Sequence, residues 1–134
     1  YIDHFGFALA GSFGWPVGQG PVADLCMGLE GSGADVRLLH RDGFYLEVFR
    51  FEAPPQAPLD FGRKIHQLGV SHMCFRTDDI DGDYARLKAA GCPFNAPPQD
   101  RGAHKLAFLR DPDGNIIELL EVVADPHPFG WSKD

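Results

Sequence analysis

The sequence predicts an α+β protein built from two copies of a strand, helix, strand, strand, strand unit. Three observations predict it. The second half reads in that element order. The first half echoes its last part. A proline-rich stretch separates the two. ADVRLLHRDGFYLEVFRFE (34 to 52) matches AHKLAFLRDPDGNIIELLEVV (103 to 123): each has an Arg-Asp pair, a glycine, and a glutamate four residues beyond that glycine. Gly43 to Glu47 therefore mirrors Gly114 to Glu118, the signature of stacked similar units.

The elements of the second unit follow in order. GVSHMCFRT (69 to 77) has strand propensity and a glycine boundary. DDIDGDYARLKAAG carries Ile80, Tyr84 and Leu87 at helical spacing, an aspartate to cap its first turn, and Gly91 to stop it. CPF (92 to 94) opens an extended piece, and KLAFLR (105 to 110) runs into Asp111-Pro112-Asp113-Gly114, a type I turn pattern with NIIELLEVV as the returning strand. In the first unit, GFAL (6 to 9) stands where GCPF (91 to 94) stands, each after the end of a helix. On that register the counterpart of His72 falls about 13 residues before Tyr1, so the first strand of the first unit is expected upstream of this sequence. The chain divides into a first module (1–52), a linker (53–68) containing EAPPQAP, a second module (69–123) and an irregular tail (124–134), all within one domain. GWPVGQG (14 to 20) lacks the Lys-Ser/Thr of a phosphate loop and is expected to be a mobile loop over a cavity, with Trp15 reaching ligand.

Composition narrows the function classes. With 44% hydrophobic and 23% charged residues the chain is an ordinary globular sequence. No apolar run approaches the roughly 18 residues a membrane helix needs. A net charge of −7, with 12 scattered Lys and Arg, works against binding nucleic acid. Three cysteines without C-x-x-C spacing indicate neither a disulfide framework nor a thiolate zinc knuckle, so a cytoplasmic setting is the default.

The candidate chemistry lies in Glu47, His72 and Glu118. Each repeat ends on a strand with one carboxylate in an apolar setting, and the second begins with His72 among apolar residues. Strand alternation puts Tyr45, Glu47 and Phe49 on one face, Ile116, Glu118 and Leu120 on another, and His72, Cys74 and Arg76 together. If the two units pack side by side, the three ligands converge on a shared cavity lined by Tyr45, Phe49, Cys74, Leu120 and Trp15. Imidazole with carboxylates suits one divalent metal: zinc, nickel, iron, manganese or cobalt. The plainer alternatives are a half-buried His72 bonded to backbone, a Glu118 guarding a sheet edge, and a Cys74 that only packs. The remaining histidines read as surface residues, with His40 the one placed to support the site.

GVSHMCFRTDDIDGDYARLKAAG followed by KLAFLRDPDGNIIELLEV resembles nearly the whole second βαβββ module of the vicinal oxygen chelate superfamily, and FYLEVFRFE resembles the closing strand of the first. That superfamily includes glyoxalase I, extradiol dioxygenases and bleomycin-resistance proteins. The resemblance implies two paired modules forming an open mixed sheet around a cavity. It implies His72 and Glu118 as metal ligands from the second module and Glu47 from the first, with a fourth ligand on the absent first strand. Two glutamates resemble the glyoxalase I arrangement, a lyase or isomerase in which a metal stabilises a developing oxyanion while Glu47 moves a proton on a small substrate chelated through adjacent oxygens. The alternatives are an iron-dependent extradiol dioxygenase and a metal-free protein that binds an aromatic small molecule. A homodimer is expected from the resemblance, with Phe129 and Trp131 of the tail available to dock on a partner.

Overall fold

The computed structural model describes residues 1–57 and 61–124, so His127, Phe129, Trp131 and nearly all of the tail lie outside the described residues. The architecture is α+β with two open sheets. The chain divides into two compact units, Tyr1–Pro58 and Leu59–Asp134, and the boundary falls inside the proline-rich connector.

In the first unit, α1 (Ile2–Phe5) ends at Gly6 in the left-handed conformation, φ 70°. This is the helix end expected before GFAL. Three antiparallel strands follow in the order β1 (Ala8–Trp15), β2 (Gly33–Arg41), β3 (Phe44–Ala53), with α2 (Pro21–Met27) inserted between β1 and β2. Arg41 pairs with Phe44, leaving a two-residue turn in which Asp42 and Gly43 both have positive φ. That handedness matches the twist of the flanking strands, and glycine takes it without a steric penalty.

The second unit holds β4 (Met73–Arg76), α3 (Ile80–Ala89), β5 (Gln99–Asp100), β6 (His104–Arg110) and β7 (Ile116–Val122), with sheet order β4-β7-β6-β5. Among the described residues only β4 and β7 run parallel, with α3, β5 and β6 in the connection between them. The helix begins at Asp79, whose side chain accepts a hydrogen bond from the Gly82 amide at 2.9 Å, and Glu121 of β7 accepts one from the Ile80 amide at 3.1 Å. These satisfy amides that the first turn leaves unpaired. Ile80 and Leu87 are fully buried, as are Leu109 and Ile117 of the sheet. Each such side chain contributes about 1.5–3 kcal/mol through removal from water. The expected turn forms at Asp111–Gly114: the Gly114 amide donates to the Asp111 carbonyl at 2.9 Å, and the Asp111 carboxylate accepts from both the backbone and the side-chain nitrogen of Asn115.

Two expectations are corrected. The strand expected over 69 to 77 is only Met73–Arg76, so His72 stands immediately before it. GWPVGQG is not a loop throughout. β1 runs through Trp15, and α2 starts at Pro21. The turn between them is fixed by hydrogen bonds from the Gly18 amide to the Ser32 carbonyl (3.0 Å) and from the Gln19 amide to the Pro16 carbonyl (3.0 Å). Glycine and proline marked a break in the pattern here. They gave no information on how firmly the backbone amides would be satisfied.

Candidate functional site

The second unit brings His72 and Glu118 together. β7 lies between β4 and β6, and its register sets Glu118 beside Cys74 on one side and Phe108 on the other. Glu118 therefore does not guard an edge: its side chain is on an interior strand and only 12% exposed. His72 Nε2 lies 3.0 Å from Glu118 Oε2, and His72 Nδ1 lies 2.9 Å from Ser71 Oγ. The ring nitrogens thus face two side chains rather than backbone. Phe108 meets the imidazole edge-on, with centroids 5.5 Å apart at 79°.

The chain leading into His72 is held by arginines. Arg63 donates to the Val70 carbonyl at 2.8 Å, and Arg110 donates to the Gly114 carbonyl at 2.8 Å and to the Arg63 carbonyl. The segment before β4 is thereby tied to the β6–β7 hairpin that carries Glu118. Cys74 also feels this carboxylate. Cys74 is exposed at the surface, yet partial desolvation, then the neighbouring Glu118 carboxylate, push the thiol up from 9.0 to about 12. Leu120 is buried, 5% exposed, two residues along the Glu118 face. Arg76, on that face as well, has its guanidinium 3.9 Å from Asp78.

Glu47 belongs to the first unit. It sits in β3 opposite Leu38, exposed, with Tyr45 and Phe49 on its face. Tyr45 meets His40 across the strands with centroids 4.6 Å apart and rings tilted by 42°, and Phe49 stacks on Phe51 at 5.6 Å and 11°. Register and alternation place Phe13, Trp15, Ala34, Val36, Leu38 and His40 on this same face, so its strands carry neither lysine nor arginine there. His40 supports Tyr45 and accepts a hydrogen bond from the Gly43 amide at 3.2 Å. Trp15 lies at the opposite end of the sheet from Tyr45. Its indole nitrogen donates to the buried Ser32 hydroxyl at 2.9 Å, and its ring covers Gly20, where a Cβ would fall 2.2 Å from the indole Cδ1. It also lines a shallow cavity of about 380 Å³ with Gly14, Pro16, Ala34, Asp35 and Glu52.

Of the three sequence-predicted ligands, two are adjacent within one unit. Imidazole nitrogen and carboxylate oxygen at this separation fit two positions of a divalent metal's shell, and Ser71 gives the imidazole a second partner that orients it. Among the described residues no group of three or more His, Cys, Asp and Glu is arranged to hold a metal. Sequence reasoning missed Phe108 and Ser71. Counting back from the D-P-D-G hairpin would have set Phe108 opposite Glu118, whereas no pattern marks a serine adjacent in the chain to the histidine it contacts.

Comparison with known proteins agrees with this fold. The chain is 32% identical over 79 residues to the uncharacterized protein YaeR of Escherichia coli, spanning 58% of each chain. It is 36% identical over 53 residues to a lactoylglutathione lyase of Pseudomonas aeruginosa, spanning 40% of this chain and 30% of that enzyme. Both relatives are thus matched over only part of their length. The crystal structure of a glyoxalase family protein from Bacillus cereus has the same fold, with a TM-score of 0.80 at 24% identity over 92% of this chain and 83% of that one. A model of the Glyoxalase/Bleomycin resistance protein/Dioxygenase superfamily matches residues 1–119, and this chain belongs to that superfamily.

Proposed function

We propose that this protein is a glyoxalase-type, metal-dependent lyase or isomerase acting on a small substrate that presents two adjacent oxygens. The observation that carries the reading is the 3.0 Å approach of His72 Nε2 to Glu118 Oε2, on an interior strand where an unpaired carboxylate is costly. In this reading His72 and Glu118 supply two donors to one divalent cation, and Glu47 of the first unit is the proposed proton-moving carboxylate. The bound cation supplies Lewis-acid stabilisation of negative charge developing on a substrate oxygen.

The chain's own residues do the rest. Glu47 takes a proton from the carbon beside one substrate oxygen and returns it to the neighbouring carbon, the role of a positioned carboxylate base. Tyr45 and Phe49 flank it on a face without fixed positive charge, which favours a substrate with an apolar body over one bearing extra anionic groups. The protein acts as a homodimer in the same reading, which sedimentation measures directly.

A second reading, a metal-free protein that binds an aromatic small molecule, is supported by the same face: Tyr45 is 59% and Phe13 51% exposed on it. Metal titration separates the two. Stoichiometric uptake of zinc, nickel, cobalt or manganese, reduced at least a hundredfold by Glu118→Gln, supports the enzyme. No uptake supports the binding protein, and full occupancy in Glu118→Gln removes the carboxylate from the proposed centre.

A further inference from the structure

His40 is the side chain of the Glu47 face whose polarity the surrounding apolar surface does not explain. It sits on β2, the central strand, paired with Ala8 of β1 and Tyr45 of β3, and the next pair on the same face is Leu38 with Glu47. An amide N–H only donates, so His40 Nε2, 3.2 Å from the Gly43 nitrogen, is the bare nitrogen of the ring. The neutral imidazole therefore carries its proton on Nδ1, and the β2–β3 turn sets the tautomer. Among the described residues no hydrogen bond takes up that proton. Tyr45 bounds the imidazole on one side. The other side is open: Ala8 ends at Cβ, and Gly11, paired with Leu38, has nothing within 4 Å of where a Cβ would stand. Exposed Phe13 is the next residue of β1 on this face, so a floor of small residues lies between aromatic rings.

We infer that His40 is a specificity-determining residue, whose Nδ1–H donates to a carbonyl oxygen of a neutral ligand with its planar apolar body over Ala8 and Gly11. The inference rests on the reading above in which the Glu47 face receives substrate. A donor held in one tautomer selects an acceptor oxygen, because covering it with an apolar group forfeits the hydrogen bond it makes to water. The strands offer no lysine or arginine on this face, and Glu47 repels a second negative charge. The class that fits is therefore aromatic ketones and diketones rather than carboxylates or phosphates. Diketones keep the two adjacent oxygens that the proposed reaction needs.

Titration of the whole chain with the neutral vicinal diketone acetylbenzoyl, with and without zinc, tests this in two variants that divide the roles of the ring. His40→Asn keeps an N–H where Nδ1 stands and gives up the acceptor for Gly43. His40→Gln keeps an acceptor where Nε2 stands and gives up the donor. In wild type, long-range proton–nitrogen NMR is expected to show the Nδ1–H tautomer and a shift of Nδ1 when the diketone is added. Affinity is expected to be about fivefold weaker in His40→Gln and within about twofold of wild type in His40→Asn, the worth of one neutral hydrogen bond. The opposite order makes His40 a turn residue only, and equal affinity in all three proteins, or an Nε2–H tautomer, removes it from the ligand. Each of these overturns the inference, while Tyr45 and Phe49 signals that still shift with the diketone leave the Glu47 face standing as the receiving surface. A wild-type protein that binds no diketone in either condition removes that surface, and the inference with it.

Discussion

Ser71 Oγ lies 2.9 Å from His72 Nδ1, on the far side of the imidazole from Glu118. A neutral histidine carries one proton, and a hydroxyl can donate or accept, so Ser71 can serve either tautomer. With the proton on Nε2, His72 donates to Glu118 and Ser71 donates to Nδ1. With Nε2 on a cation, the proton sits on Nδ1 and Ser71 accepts it. Ser71→Ala is expected to weaken zinc or cobalt binding by roughly tenfold while leaving the far-ultraviolet circular dichroism unchanged. Calorimetric titration checks this, and equal affinity would leave Ser71 without a part in orienting the ring.

The Cys74 thiol gives a pH-dependent prediction in chelator-treated protein. Its folded value of about 12 lies above the ordinary 9.0, so between these values the folded protein holds a proton that the unfolded chain has released. The thiol's contribution to stability is then complete below about pH 9 and is lost as pH rises towards 12. Because the thiolate is the reactive species, alkylation of Cys74 by iodoacetamide should stay slow up to about pH 9. Cys26, exposed as Cys74 is, serves as the internal reference for reagent access. Glu118→Gln removes the neighbouring charge and should accelerate the Cys74 reaction, which peptide mass spectrometry reads residue by residue.

Leu87 is fully buried where α3 meets β6 and β7. Leu87→Ala should cost about 2–5 kcal/mol from lost transfer energy and the cavity left behind. Urea unfolding measures it. A change below about 1 kcal/mol would mean that the helix collapses onto the gap.

Trp15→Phe keeps a ring over Gly20 but deprives the buried Ser32 hydroxyl of its indole donor. The expected loss is about 1–3 kcal/mol, with metal affinity unchanged because the contacts of Trp15 are to Ser32 and Gly20 and not to the His72–Glu118 pair. A large fall in metal affinity without a fall in stability would instead return Trp15 to the ligand side, as its sequence setting implied.

Local sequence is enough for the element order of the second unit, the hairpin at Asp111–Gly114, the capped helix and the side-chain faces. Each is a local matter: turn residues, spacing and strand alternation act within a few residues, and the matched glycines and glutamates made the repeat visible. It also named His72 and Glu118 separately. That they meet follows from long-range pairing: β4 and β7 are separated by residues 77–115, a connection that no periodicity reports. The same holds for Cys74 beside Glu118, Phe108 against the imidazole, and Trp15 turned to Ser32. These depend on sheet order and on which polar groups burial forces to find partners, and no local pattern encodes either.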